Sequence, residues 1–471
     1  MAFSTLPPLA LFAAEQGVYG RLRQHIQKIA PAAKDELAQQ ENGMKLTPTA
    51  LTLVLASSSL AMVSPAMAQY GSSAPPKVAM PPKGEAPPAE ASTGEYKPNI
   101  SSSARKEIVE LQTAVNAKDA ANIPAKLAAA QAKAKTKDDR YVIAQLQLKA
   151  AVDVQDNAAI MTAIDAVLAS DVLPPANTIP LYVNLGKLQY NTKAYDKAAA
   201  SFERALQIEP NNVEATVMLA EARNAQGRPA EAVTLIQKAI AARVAAGQKP
   251  EENWYKRAVK LSFDAKMPSA PTIAREWVAA YPSQKNWRDA IRIYQSTSGL
   301  DDASLLDSMR LAQAAGALSG ENDYFRFANT LVTKGFPGEA KAVLDQGFAS
   351  KAIDKSRATF SQLYTLASTR SQGDRASLAA SATAAKASAD AKKAMVTGEA
   401  FYGYGDYAQA ADLFRAALGK SGVDKDLANL RLGMSLARSG DKAGAVAALK
   451  AAGGAQAEVA SLWLTWLAQQ A

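Results

Sequence analysis

Adjacent acidic residues are the side chains in this sequence whose type and spacing could support catalysis. In residues 69–471 they are Asp138-Asp139, Glu251-Glu252 and Asp301-Asp302. A pair of carboxyl groups can act as acid and base in glycoside hydrolysis without histidine or cysteine. All three pairs lie near predicted helix starts, where the helix dipole stabilises a carboxylate. We therefore predict no catalytic residues, and glycan cleavage stays a remote alternative.

Histidine and cysteine are almost missing from the chain. It has no cysteine and a single histidine, His25. A Ser–His–Asp triad needs histidine, and nearly all zinc sites need cysteine or histidine. The composition therefore argues against nucleophilic catalysis and metal chemistry, and we predict no cofactor and no metal.

One glycine pair has the spacing of a phosphate-binding loop. Gly398 and Gly403 form G-x4-G, but Tyr404 and Gly405 stand where lysine and serine or threonine are required. No strand pattern precedes the glycines, although such a loop follows a strand. We therefore reject a nucleotide site here.

A pattern of small and large apolar residues recurs at a step of 34 residues. Any binding site would lie on the structural elements that this repeat forms. The first copy contains Tyr182, Leu185, Gly186, Tyr195, Ala198, Phe202, Ala205, Leu206 and Pro210. The second contains Leu219, Ala220, Gly227, Ala232, Ile236, Ala239 and Ile240. Weaker copies begin at Tyr324, Gly398 and Leu432.

This pattern resembles the tetratricopeptide repeat family, whose unit is a pair of antiparallel helices. The resemblance implies an all-α, right-handed α-α superhelix of about ten helical hairpins that binds a protein or peptide partner. We predict that Gly227, Gly335, Gly405 and Gly440 end the first helix of their pairs, because glycine accepts left-handed backbone there.

The predicted organisation follows the strength of the repeat. Degenerate helical hairpins occupy residues 101–175, two clear units 176–246, degenerate units 247–319, one unit 320–350, an Ala-rich hairpin 351–390 and two units 391–454. Residues 455–471 form an amphipathic helix that we predict caps the last unit. The alternative is a self-association surface built on Trp463 and Trp466.

The N-terminal part of the chain has the form of an export signal. Residues 44–68 combine Lys45, an apolar stretch and Ala66-Met67-Ala68, as in a secretory signal peptide. We expect cleavage after Ala68, and we interpret residues 1–43 as a mis-assigned upstream extension. The expected location is the periplasm or the outer envelope of a bacterium.

Residues 69–100 contain paired prolines and predict an extended linker, with a docking segment as the alternative.

Binding residues in the family come from the inward positions of the first helices. Here those positions hold Lys187, Tyr190, Asn191, Glu221, Asn224, Phe325, Asn329, Glu399, Tyr402, Met434 and Arg438. Lys187 and Asn191 resemble part of a clamp for a peptide carboxylate, but Glu221 and Ala225 lack the other donors. The groove is one interpretation, and ordinary solvated helix faces are the other.

The net charge of +9 is spread along the chain without a basic run. We therefore predict no nucleic-acid partner. The leading hypothesis is an exported, non-enzymatic scaffold for proteins of the bacterial envelope. The alternative is an envelope scaffold that binds an anionic glycan or lipid surface weakly through dispersed lysine and arginine.

Overall fold

The computed structural model describes residues 96–470, which form two compact units, 96–188 and 189–470. These residues contain twenty α-helices and no β-strand, which confirms the predicted all-α helical repeat fold. The predicted upstream extension, the signal peptide and residues 69–95 of the linker lie outside the described residues.

The first unit is built from short helices around small apolar cores. Its helices are α1 (Arg105–Asn116), α2 (Ile123–Lys133), α3 (Lys137–Asp153), α4 (Asn157–Ala169) and the start of α5 (Pro175–Asn191). Helix α1 packs on α2 and α3, and α3 packs on α4. Leu148 and Ile164 are buried between α3 and α4.

The start of α3 shows why the acidic pairs occur where they do. The Asp139 backbone N–H donates to Thr136 Oγ1 at 3.0 Å, and Asp139 Oδ2 accepts from the Thr136 backbone N–H at 3.0 Å. This reciprocal cap satisfies donors that a helix start otherwise leaves unpaired. Asp139 is the third residue of its helix, whereas Glu251 and Asp301 occupy the N-cap positions of theirs, so all three pairs lie at helix starts, as predicted.

Residues 96–100, the end of the predicted linker, pack on α3. Tyr96 Oη donates to Asp138, and the Asn99 backbone N–H donates to Asp138 Oδ2 at 2.6 Å. The Tyr96 ring lies edge-on to Tyr141, with centroids 5.5 Å apart. These residues therefore belong to the first unit.

The second unit begins within α5 and continues through fifteen more helices. They are α6 (Tyr195–Ile208), α7 (Val213–Ala225), α8 (Pro229–Ala245), α9 (Glu252–Asp264), α10 (Ala270–Ala280), α11 (Gln284–Thr297), α12 (Asp302–Ala314), α13 (Gly320–Lys334), α14 (Pro337–Ala349), α15 (Ala358–Ala387), α16 (Ala391–Gly403), α17 (Tyr407–Leu418), α18 (Lys425–Ser439), α19 (Lys442–Ala451) and α20 (Ala457–Ala468). Successive helices pack on each other.

The predicted turn glycines have the expected backbone. Gly227, Gly335, Gly405 and Gly440 have φ of 75°, 83°, 81° and 90°. Glycine adopts this left-handed region without the clash that a Cβ causes. The prediction from the repeat is confirmed at all four positions.

Residues 351–390 depart from the predicted organisation. In place of a hairpin, this region contains one helix of 30 residues, α15. Gly373 could have ended a first helix, but it lies inside α15, because the alanine-rich sequence around it has high helix propensity. The predicted hairpin is corrected to a single long helix.

The last helix, α20, packs on α19 and α18 and also on α10 and α12. It therefore does more than cover the end of the last pair. Among residues 96–470, no helix combines the length and the apolar character needed to cross a membrane.

Candidate protein-binding groove

A groove of about 680 Å³ opens on the second unit between α12, α14, α15 and the α16–α17 pair. Its lining includes Gln313, Lys341, Asp345, Ser371, Arg375, Tyr402, Tyr404 and Tyr407. We call it the Tyr402 groove. It combines aromatic rings with charges of both signs.

Two buried glycines let the helices around the groove approach closely. A Cβ on Gly403 would lie 2.8 Å from Glu339 Cβ, and a Cβ on Gly338 would lie 2.3 Å from the Tyr404 ring. Both distances are shorter than a non-bonded carbon contact allows. The position of the Tyr404 ring therefore depends on the absence of a side chain at Gly338.

A line of buried ionic groups lies beneath the groove. It runs Glu339, Arg310, Asp307, Arg431, Glu399, with alternating sign, and we call it the charge chain. Glu339 accepts from Arg310 Nε and Nη2 at 2.9 and 2.7 Å, and Asp307 Oδ1 accepts from Arg310 Nη1 at 3.0 Å.

The other half of the charge chain contains one longer contact. Asp307 Oδ2 lies 3.5 Å from Arg431 Nε, and Arg431 pairs with Glu399 through Nη1. No side chain in the charge chain is more than 8% exposed. Burial lowers the pKa of the Arg431 guanidinium, and Asp307 opposes that shift. The charge chain connects α12, α14, α16 and α18 beneath the groove.

Tyrosine rings form the aromatic wall of the groove. Arg310 Cζ lies 4.8 Å from the centre of the Tyr402 ring, and the Tyr402 and Tyr407 centroids are 5.1 Å apart. Arg438 Nη2 donates to Tyr407 Oη at 3.0 Å. Burial raises the pKa of Tyr402 despite the nearby Arg310 charge, so its hydroxyl stays neutral at physiological pH.

Tyr404 is fixed from the α15 side. Its hydroxyl lies 2.9 Å from Asp374 Oδ2 and 3.0 Å from the Ser371 carbonyl oxygen. Burial, and then the hydrogen bond to Asp374, raise the pKa of Tyr404. Arg375 Cζ lies 5.0 Å from the centre of the Tyr404 ring. The ring is therefore held between two helices and cannot turn freely.

The rim of the groove carries both signs of charge. Lys341 Nζ lies 2.6 Å from Asp345 Oδ2, and Arg375 Nη2 lies 3.8 Å from Asp406 Oδ2. These pairs are partly exposed, so each contributes only about 0–1 kcal/mol to stability. A partner with its own charged groups can exchange with them at little cost.

The structure places the predicted groove residues in different surroundings. Only Tyr402 lines the Tyr402 groove, and it is 7% exposed. Arg438 contacts the groove residue Tyr407. Glu399 lies in the charge chain, and Met434 is fully buried in the hydrophobic core. Glu399 and Met434 were predicted on an open concave face, and that placement is corrected, because neighbouring helices cover them.

The remaining predicted residues lie outside this groove. Phe325 and Asn329 are exposed on α13, and the Phe325 ring lies 6.4 Å from that of Phe360. Glu221 accepts from Arg257 Nε and Nη2 at 3.0 and 2.6 Å.

Helices α5 and α7 carry the other four. Lys187, Tyr190 and Asn224 are partly exposed and Asn191 is exposed. Tyr190 pairs with Tyr195 at 5.3 Å. Their role in binding stays a prediction.

Sequence reasoning missed most of the groove. Tyr407 belongs to the weaker repeat copy that begins at Gly398, and Tyr404 drew attention only as a residue that excludes a phosphate-binding loop. Lys341 and Arg375 carried no local signal. Arg375 reaches the groove because α15 is one long helix, which the sequence did not indicate. Within residues 96–470, no cluster of three acidic or histidine side chains is arranged to hold a metal ion.

Comparison with protein families identifies part of the second unit. Residues 192–246 match a family model described as tetratricopeptide repeat. The match is confined to this segment. This segment contains α6, α7 and α8, so the family match falls within the two clear units predicted over residues 176–246. No curated protein matches the chain at a significant level.

Solved structures of tetratricopeptide repeat and other proteins resemble the chain only distantly. A tetratricopeptide repeat protein from Parabacteroides merdae ATCC 43184 is 14% identical, with a TM-score of 0.28 over 63% of this chain and 99% of that chain. PilF of Pseudomonas aeruginosa is 15% identical, with a TM-score of 0.24 over 56% and 97%. BtubC (BKLC) from P. vanneervenii is 15% identical, with a TM-score of 0.22 over 54% and 92%. These values are too low to indicate a shared partner.

Proposed function

We propose that this chain is a non-enzymatic helical-repeat scaffold that binds a protein or peptide partner in the Tyr402 groove without a cofactor. The tetratricopeptide repeat match supports a protein-interaction role, because stacked repeats of this kind present extended binding surfaces. The observation that carries the proposal is the set of tyrosine rings fixed over a buried charge chain.

The chemistry of the groove favours a polypeptide. Tyrosine and arginine are enriched where proteins bind each other, because they combine a large contact area with a polar end. Rings that are already fixed lose little conformational entropy on binding. The groove volume of about 680 Å³ suits a few side chains of a peptide, and the rim offers Lys341 and Asp345 to charges of either sign.

We also propose that the protein acts in the bacterial envelope. This proposal is supported by the signal-peptide pattern of residues 44–68, which lie outside the described residues. Expression of the full chain in a bacterium, followed by N-terminal sequencing of the exported protein, tests it. A chain beginning at Gln69 is expected. An uncleaved chain retained in the cytoplasm contradicts the proposal.

Affinity capture from envelope extract tests the binding function. The full chain is compared with Tyr407→Ala and with a matched control, Tyr195→Ala. Tyr195 pairs with Tyr190 at 5.3 Å as Tyr407 pairs with Tyr402 at 5.1 Å, five residues apart in both cases, but it lies outside the groove. A partner that uses the groove is expected to be lost only with Tyr407→Ala.

Salt separates a protein partner from an anionic surface. Contacts in a tyrosine-lined groove should persist in high salt, whereas attraction between dispersed lysines and an anionic polymer is screened. A protein captured at both salt concentrations supports the proposal. Capture of glycan or lipid alone, and only at low salt, contradicts it and favours the anionic-surface alternative.

A further inference from the structure

Three proline pairs recur at a step of six residues in the sequence that precedes the first unit. They are Pro75-Pro76, Pro81-Pro82 and Pro87-Pro88. The segment lies outside the described residues, and its paired prolines predict a polyproline II helix. Such a helix has three residues per turn, so six residues make two whole turns, about 19 Å long. The three pairs would therefore lie on one side of the helix.

The Tyr402 groove has the features that bind a polyproline II helix. Tyr404 and Tyr407 line it and are partly exposed. Proline-recognising domains bind such helices in grooves lined by aromatic rings. Tyr407 Oη accepts from Arg438 Nη2 at 3.0 Å, so its own hydrogen can be donated to a carbonyl oxygen. A polyproline II helix has no internal hydrogen bonds, so its carbonyl oxygens can accept.

Asp406 places a carboxylate directly beside the Tyr407 ring. Its side chain is 42% exposed, and Oδ2 lies 3.8 Å from Arg375 Nη2, which is longer than a hydrogen bond allows. Among the described residues, the Asp406 side chain caps no backbone N–H of α17. This carboxylate can therefore accept a cation from a ligand in the groove.

The charge of the proline-rich segment matches this carboxylate. Lys77 and Lys83 each follow a proline pair, and residues 75–83 contain no acidic residue. The two lysines are six positions apart, so in a polyproline II helix they would share a side, as the proline pairs do. A proline pair can then contact the tyrosine rings while the lysine after it reaches Asp406.

We propose that the Tyr402 groove binds this chain's own proline-rich segment, residues 75–88, as a polyproline II helix. The inference rests on the proposed function, because it assigns a ligand class to the same groove. Proline pairs contact the tyrosine rings, and a lysine pairs with Asp406. A segment that is already extended loses little conformational entropy on binding. The segment therefore competes with any partner for the groove.

A labelled peptide of residues 73–90 tests the ligand class. The chain used is the full chain with its own six paired prolines replaced by alanine, which leaves the groove open. Fluorescence anisotropy should show that the native peptide binds, and that a peptide with the same six replacements binds at least tenfold more weakly. Tyr407→Ala in this chain should weaken the native peptide at least tenfold, and Tyr195→Ala should not. A native peptide that does not bind, equal binding of the two peptides, or equal binding after Tyr407→Ala overturns the proposal.

Reversal of charge tests the contact without changing the rings, so it remains informative if Tyr407→Ala does not fold. Asp406→Lys in the same chain should weaken the native peptide at least threefold. A peptide with Lys77→Glu and Lys83→Glu should bind Asp406→Lys more tightly than it binds the chain with Asp406. Failure of the reversed peptide to regain binding overturns the proposal.

The unchanged full chain tests whether its own segment occupies the groove. A tethered segment has a high effective concentration, so the native peptide should bind the unchanged chain at least tenfold more weakly than the chain without paired prolines. Equal binding to the two chains overturns the proposal. If a captured partner is lost with Tyr407→Ala but the peptide does not bind, this inference fails and the proposed function stands. If the peptide binds but the captured partner is insensitive to Tyr407→Ala, the proposed function alone fails.

Discussion

Replacement of Arg310 tests whether the charge chain under the groove holds the second unit together. The charge chain contains three carboxylates and two guanidiniums. Arg310→Met leaves three carboxylates with one guanidinium and removes both hydrogen bonds to Glu339. Asp307→Asn leaves two carboxylates and two guanidiniums, and the new amide oxygen can still accept a hydrogen bond from Arg310. The two variants therefore separate the effect of charge balance from that of a single missing contact.

The expected losses of stability differ between the two variants. Removal of one partner from a buried ion pair costs about 3–5 kcal/mol of unfolding free energy. Loss of the Arg310 contact with the Tyr402 ring adds about 1 kcal/mol. Asp307→Asn should cost less, about 1–3 kcal/mol, because it balances the remaining charges but turns its amide NH2 group toward Arg431. Arg310→Met combined with Glu339→Leu should recover most of the loss, because apolar residues replace a buried ion pair at little cost.

Tryptophan fluorescence gives a clean assay. All five tryptophans lie in residues 189–470, so urea unfolding followed at tryptophan reports on the second unit. We expect the midpoint to fall more for Arg310→Met than for Asp307→Asn, and to rise again in the double variant. If Arg310→Met lowers the unfolding free energy by no more than Asp307→Asn does, the charge chain does not stabilise the second unit as argued.

The close approach at Gly338 predicts that Gly338→Ala lowers the unfolding free energy by about 1–3 kcal/mol, since a Cβ would meet the Tyr404 ring at 2.3 Å. Gly373→Ala is its control, because nothing lies within 4 Å of that Cβ, and alanine in a helix should stabilise by about 0.5–1 kcal/mol; loss of stability in both would contradict the packing argument. In the first unit, burial of Asp139 favours its neutral form, but hydrogen bonds from the backbone N–H groups of Lys135, Ser101 and Thr136 outweigh burial and lower its pKa. Its stabilisation is therefore fully present above the unfolded pKa of about 4, shrinks as pH falls below that value, and is lost only as pH falls through the much lower folded pKa. Far-UV circular dichroism during urea unfolding should show Asp139→Asn less stable than the unchanged chain at pH 7, with a clearly smaller difference at pH 2; a difference that stays constant or grows would contradict the sign.

Features set by neighbouring residues were predictable from the sequence. The glycines at 227, 335, 405 and 440 could be assigned because a left-handed turn between paired helices admits few other residues. The acidic pairs could be assigned because caps and the helix dipole act within one turn. Both depend on a few adjacent positions.

Features set by packing over long distances were not predictable. Glu399 reads as an exposed helical position, yet it is buried because Arg431, 32 positions later, pairs with it. Helix α20 reads as a cap, yet it also contacts α10 through Arg275 and Val278. No local sequence pattern shows which helices distant in the sequence will contact each other. The groove is formed by such contacts, so the repeat pattern did not predict the residues that line it.

The affinity of the captured partner for three full-length chains tests the central claim most directly. Isothermal titration would compare the unchanged chain, Tyr407→Ala and Tyr195→Ala. We predict at least about tenfold weaker binding for Tyr407→Ala, corresponding to about 1.4 kcal/mol, and unchanged binding for Tyr195→Ala. Equal affinity for all three chains, or a loss confined to Tyr195→Ala, would contradict binding in the Tyr402 groove.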